Sequence, residues 1–399
     1  MSPEQPAADQ PRTEQPTAHR TPKLTVGDSP HFDEQYPLSP IDDFMIHQTI
    51  DPIRIMMASD PKAYERYWMV AHDVESSVLI ATGCSFYPNL DRAEAYAIVN
   101  HNGIHRTVRA FRPLGVDRMD MRFGPIAPEV IEGLRRWKFV LEPNEWDISF
   151  ELDFTDTTRQ VFREPTLPID RGYPRGRRPD VTTGFESFGD VSGWVEVAGE
   201  RIDIAPGSGR GTRDRHWGVG RGVGGPELAM GGRMHVGVNG NSFVAFNDFT
   251  IWGDKVFYPF GDDRAGAGTV DNVVRRFRFE DTKIFLEAEV DYTLSSGEVK
   301  HLHYERIGNQ TAYLRCGMYG GTPGKDIHQG SYAGEEQLVE GDVFDVNQPE
   351  IRASLMGLDE HLCRITCDGE TTTGLMQPID PNAYNACASP TREGWTFLE

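Results

Sequence analysis

Cysteine is scarce in this chain. The five residues Cys84, Cys316, Cys363, Cys367 and Cys387 are odd in number and scattered, with no Cys-x-x-Cys pair. That pattern argues against a disulfide framework, and Cys363-x-x-x-Cys367 fits no common zinc spacing. Five reduced thiols in a cytoplasmic protein are expected. Long apolar runs are missing too: none approaches the roughly 20 residues that span a bilayer. Residues 1–23, rich in Pro, Gln and Thr, have no apolar centre and do not read as a secretory signal. Positive charge is in deficit. With Lys and Arg at 40 against Asp and Glu at 61, the net charge is -21, which argues against nucleic acid or an anionic membrane surface as partner. No Gly-x-Gly-x-x-Gly loop feeds a helix, and Arg221-Gly222-Val223-Gly224-Gly225 runs into Pro226 rather than into one. No Gly-x-Ser-x-Gly elbow is present, so a serine hydrolase is disfavoured. No cofactor is expected.

Short strands are what the chain does have. Residues 1–38, with Pro3, Pro6, Pro11 and Pro16 and few apolar side chains, read as a disordered tail. From residue 67 the pattern is β: 67–73, 77–83, 95–99, 104–110, 137–141 and 146–154. Asn102-Gly103 marks a two-residue hairpin turn and Ala198-Gly199 another. Only residues 128–136 have modest helical character, with a turn or short helical piece at 61–66. Residues 163–180 form a basic, Pro- and Gly-rich connector. Further strands follow at 193–197, 201–204, 233–238, 241–252, 274–279, 284–292, 300–306, 338–345 and 361–368. The fold class expected is all-β, either two barrels or a sandwich plus a barrel, with the chain divided as 39–190 and 191–399.

The densest chemistry lies at residues 209–221, read as a loop. There Arg213, Asp214, Arg215 and His216 precede Trp217, an indole that usually wants burial. Charge beside a buried indole needs pairing, and such clusters concentrate at functional sites. A two-residue turn at Asn239-Gly240 would set Val238 opposite Asn241 in the following hairpin. Arg233, His235, Phe246, Asp248 and Trp252 then share one face. A buried Asp248 costs free energy unless a cation pairs with it, and desolvation with specific partners is how a carboxylate is tuned for proton transfer.

The run Arg213-Asp214-Arg215-His216-Trp217-Gly218, followed some thirty residues on by Phe246-Asn247-Asp248, resembles the carotenoid 1,2-hydratase (hydroxyneurosporene synthase) superfamily. It is similar to a bacterial branch with an Arg-Asp-His-Ser-Trp-Gly motif. The resemblance implies two lipocalin-like domains with a pocket between or within them. It also implies alkene protonation by the motif's His and Trp and a later Tyr-x-Asp. Trp217, Asp214 and Asp248 match that pattern. Arg215 stands at the family's His, His216 at the branch's Ser, and Phe246 at the hydratases' Tyr.

These readings together predict a cofactor-independent lyase, hydratase or isomerase acting on a hydrophobic aromatic or isoprenoid molecule. Asp248, His216 and Asp214 are the expected catalytic groups. Trp217, Arg213, Arg233, His235, Phe246 and Trp252 are expected to bind substrate. The expectations allow a homodimer. Two alternatives stay open: a non-catalytic carrier of a lipid or terpenoid, and a cupin-like metal enzyme built on His301, His303 and Glu305, which share one strand face.

Overall fold

The computed structural model describes residues 43, 45, 58–115, 118–163, 181–220, 223, 234–240, 243–246, 249–252, 255–259, 266–282, 284–317, 324–325, 327–378 and 396–398. About two thirds of them are strand. The first ten strands are β1 Ala63–Asp73, β2 Val78–Tyr87, β3 Arg92–His101, β4 Ile104–Pro113, β5 Ile126–Glu132, β6 Arg136–Leu141, β7 Ile148–Asp156, β8 Val161–Arg163, β9 Val181–Val197 and β10 Glu200–Val219. The remainder are β11 Met234–Asn239, β12 Phe243–Phe246, β13 Phe249–Trp252, β14 Lys255–Pro259, β15 Thr269–Phe279, β16 Phe285–Leu294, β17 Val299–Tyr313, β18 Leu338–Asp345, β19 Asp359–Cys367, β20 Glu370–Pro378 and β21 Thr396–Leu398. Among the described residues there is one short α-helix, α1, at Pro349–Leu355.

The strands form two sheets. The first runs β18-β4-β3-β2-β1-β10-β9-β7-β6-β5, with β8 on β9. The second runs β14-β13-β12-β11-β20-β19-β17-β16-β15, closes on itself through the parallel β14–β15 pair, and carries β21 outside the ring. The all-β, lipocalin-like expectation therefore holds. The expected division at 190/191 falls inside β9, and sheet membership changes between Val219 and Met234. The motif strand β10 thus belongs to the first sheet. So does β18, far along the sequence, through its pairing with β4.

Turn chemistry works as the sequence predicts at two places. Asn102 (φ 55) and Gly103 (φ 75) link His101 to Ile104, and Ala198 (φ 52) and Gly199 (φ 81) link Val197 to Glu200, with both central residues left-handed. The helical character expected at 128–136 is not found: residues 126–132 are strand, and the next strand begins at Arg136.

β1 is buried along its whole length because both its faces are covered. Tyr67, Met69 and Ala71 turn into the core of the first sheet, with Trp137, Phe139 and Phe154. Trp68 and Val70 turn the other way. They meet Val244, Leu362 and Leu375 of the second sheet in a seam between the two. The second barrel has its own core of Phe243, Phe277, Phe285, Tyr292 and Tyr304.

Candidate active site

The motif is strand, not loop. Residues 209–219 pair with β1 on one side and β9 on the other. Gly209 and Gly211 allow this, since a Cβ at either would collide with Val191 or Phe154. Alternation of side chains along a strand then splits the motif in two. The predicted convergence of Arg213 and Trp217 with His216 on one pocket does not occur.

Arg213 and Arg215 point into the first core. Arg213 is bonded to Asp43 (2.7 Å) and Asp156 (2.6 Å) and lies over the rings of Trp137, Phe154 and Phe185. Its two carboxylate partners hold its pKa above the ordinary value even though burial opposes the charge. Arg215 donates to the Arg66 carbonyl (2.6 Å) and meets Glu65 (3.3 Å), which also meets Arg118 (3.3 Å). Trp217 sits edge-on to Phe185. This half of the motif is structural: Arg213 and Arg215, with Arg118 and their carboxylate partners, are locked in the core of the first sheet.

Asp214 and His216 face the seam. Cross-strand register sets Trp68, Asp214 and Glu186 in one row and Ser85, Arg66 and His216 in the next, with Glu94 beyond Ser85. The His216 ring lies against the backbone of Gly184, where any side chain would strike it. Its Nε2 is 3.0 Å from Glu186 Oε1. Its Nδ1 is 3.2 Å from Arg66 Nη2 and 3.3 Å from Asp214 Oδ2. A guanidinium only donates, so neutral His216 accepts from Arg66 at Nδ1 and gives its Nε2–H to Glu186. Protonated at Nδ1, it donates instead to Asp214. The ring therefore has a partner for either protonation state.

The second barrel contributes Glu360 from β19 and Gln377 from β20. Each stands two residues from a seam residue, Leu362 or Leu375, and so shares its face towards the first sheet. Glu360 is fully buried. It accepts from Gln377 Nε2 at 2.6 Å, and its other oxygen has no hydrogen-bond partner among the described residues. Burial pushes its pKa well above the carboxylate range, and the negative charges of Asp359 and Asp214 push it further. Glu94 at the far end of the row is also buried, and burial raises it to about 8 against the bonds from Tyr87 and the Gly330 N–H.

One row along the seam, Val70, His72, Phe188, Thr212, Gly237 and Leu375 line a crevice of about 10 Å³. That is room for about one water molecule.

Several expected site residues lie elsewhere. Arg233 and Asp248 are outside the described residues. His235 and Phe246 are described in their backbone alone: His235 sits opposite Gln377 and Phe246 opposite Gly237. The register expected from Asn239-Gly240 is wrong, because Asn239 pairs with Val244 across a longer connection, closed by Gly240 N–H to the Phe243 carbonyl. The strand expected at 241–252 is two strands, and the chain reverses between Phe246 and Phe249. Trp252 stacks on Phe243 and meets Phe257 and Tyr292 inside the second barrel, away from the seam.

The metal candidates are tied to carboxylates: His301 to Asp291 (2.8 Å) and His303 to Glu287 (3.1 Å), while Glu305 pairs with Arg364. Among the described residues no group of three or more His, Cys, Asp or Glu converges as a metal site, and no helix is long and apolar enough to cross a membrane. Glu360, Glu186 and Arg66 escaped the sequence reading. Their one visible signal is a charged residue set within a strand-like run: Glu65-Arg66 before Tyr67-Trp68-Met69, Glu186 between Phe185 and Phe188, and Asp359-Glu360 at the head of β19.

No curated protein matches the chain. Among solved structures it is similar to CghA with Sch210972, at 11% identity and a TM-score of 0.42, over 80% of this chain and 89% of that one. Kievitone hydratase from Nectria haematococca (C2 SG) matches at 11% identity and 0.34, over 80% and 90%. A family model described as a family of unknown function, DUF8625, matches residues 38–274, which is more than half of the chain. The chain therefore belongs to the DUF8625 family.

Proposed function

We propose that this protein is an enzyme that transfers a proton by acid–base catalysis to a hydrophobic small molecule at the seam between its two sheets, as a hydratase, dehydratase or isomerase. The observation that carries the reading is Glu360, a fully buried carboxyl whose pKa burial raises, facing the strands that carry the His216–Glu186–Asp214 cluster. A carboxyl favoured in its protonated form, opposite an imidazole that can accept a proton, is the equipment of acid–base catalysis. In the hydration sense Glu360 gives its proton to one alkene carbon. Water attacks the neighbouring carbon, and the water proton passes to His216 Nδ1, where Asp214 accepts a hydrogen bond from the resulting imidazolium. Elimination is the same path reversed. Isomerisation uses the proton donor and acceptor without the water. The apolar side chains of the seam, Trp68, Val70, Phe188 and Leu375, suit an apolar substrate body. The likeness to a structure titled kievitone hydratase and the motif's resemblance to carotenoid hydratases agree with this reading without carrying it.

The test is a turnover screen of aromatic and isoprenoid alkenes and alcohols with wild type, Glu360→Gln and His216→Gln. Loss of about 10²-fold or more in each folded variant is expected, the usual worth of a positioned acid or base. Unchanged turnover in folded Glu360→Gln would reject the mechanism.

A further inference from the structure

Residues 327–333 cross the first sheet where Glu94 stands. Ile327 and Ala333 pack against the seam cluster, so this segment covers apolar side chains that belong to the site. Between them the backbone makes a closed turn, with His328 N–H on Ser331 Oγ (2.9 Å) and Ser331 N–H on the His328 carbonyl (3.0 Å). The turn projects one residue, Gly330, whose φ of 74° suits glycine. Its backbone is gripped on both sides. Its carbonyl accepts from Arg92 Nη1 at 2.6 Å, and its N–H donates to Glu94 Oε2 at 3.1 Å. Tyr87 bonds the other Glu94 oxygen, and Arg92 lies 5.1 Å from the Tyr332 ring centre. Glu94 shares its cross-strand row with Ser85, Arg66 and His216, so the grip is at one end of the candidate active site.

We propose that residues 327–333 are a strap over the seam, that the Gly330 backbone is its latch, and that Glu94 releases it on losing its proton.

The closed strap buries Glu94 and can tolerate the neutral acid. An ionised carboxylate gains most by reaching water, and it reaches water when the strap lifts. The surroundings do not cancel this. The titratable and charged groups about Glu94 are Tyr87 on β2, Tyr64 and Arg66 on β1, Arg92 on its own strand, and His328 and Tyr332 on the strap. Its β4 neighbour is Phe111, and Cys84 lies on the opposite face of β2. Arg66 is engaged with His216 and Asp214, and Arg92 with the Gly330 carbonyl. Burial therefore dominates and sets the carboxyl at about 8 in the closed state, against an ordinary value of 4.5. Between those two values the opening constant rises about tenfold per pH unit and then levels off.

That the strap guards a catalytic seam rests on the proposed reaction; its opening does not, and is read without substrate. The experiment is hydrogen exchange of the 327–333 backbone amides in the full chain across this pH range, corrected for the intrinsic pH dependence of exchange. Wild type is expected to lose protection about tenfold per pH unit. Glu94→Gln, which keeps shape and neutrality, is expected to stay protected at all pH. Should that variant fail to fold, Tyr87→Phe serves. It removes a bond that lowers the closed-state Glu94 pKa, so it should move the point at which the profile levels off to higher pH. Corrected exchange that is flat in wild type, or a profile unmoved by both variants, overturns the proposal. A moving profile beside unchanged turnover in Glu360→Gln would instead retire the reaction and leave the strap.

Discussion

Replacing Glu360 by Gln should stabilise this protein at neutral pH while removing its proposed activity. The wild-type carboxyl is fully buried, and its pKa is raised well above 4.5 by burial first and by Asp359 and Asp214 next. In the unfolded chain the same group ionises near 4.3. For a group whose folded pKa is raised, the stability contribution is complete below the unfolded pKa and is lost as pH climbs towards the folded one. Each pH unit in that window costs about 1.4 kcal/mol of wild-type stability. Glutamine has no proton to hold and keeps an oxygen to accept from Gln377. The two stability curves should therefore meet near pH 4.5 and separate by about 1.4 kcal/mol per pH unit above it. For a unit of 150–250 residues that is roughly 3–6 °C in Tm per pH unit. Glu94 and Asp359, also raised by burial, to about 8 and about 7, are common to both proteins and cancel in the difference. Denaturant or thermal unfolding of both proteins between pH 4.5 and 7.5 is the assay. Parallel curves, or a variant that is less stable by a constant amount, would mean that Glu360 is ionised in the folded state.

Other substitutions separate the two halves of the motif. Arg213→Met leaves Asp43 and Asp156 buried together without their cation and should cost about 3–5 kcal/mol in unfolding experiments. Gly184→Ala should drive the His216 ring off its seat against the backbone and break its bond to Glu186. A change in the His216 imidazole NMR signals, with loss of turnover, checks it. Glu186→Gln and His216→Gln should each lower turnover, and the double variant should lose much less than the product of the two, as groups acting as a unit do.

Much of the fold could be read in the sequence, because strands with one face on a core alternate visibly and Asn-Gly and Ala-Gly turns fit only certain backbones. The hairpins at Asn102-Gly103 and Ala198-Gly199 stand as expected. At Asn239-Gly240 the same dipeptide misled, since it begins a longer connection and does not form a two-residue turn. Every register drawn from it moved. The motif drew attention to the right strand but was read as a loop. Once residues 209–219 are strand, period-two alternation alone separates Arg213, Arg215 and Trp217 from Asp214 and His216. Glu360 was out of reach for another reason. Its significance comes from burial between β19 and β10, strands more than a hundred residues apart in sequence, and local pattern does not encode what a face meets.

The central claim is that a neutral carboxylic acid sits at the seam opposite the His216 strand. Isotope-edited infrared difference spectroscopy at neutral pH, wild type minus Glu360→Gln, measures it directly. The carbonyl stretch of a protonated side-chain carboxyl should appear in wild type and be missing from the variant. A difference spectrum showing only the paired bands of an ionised carboxylate at that position would contradict the account.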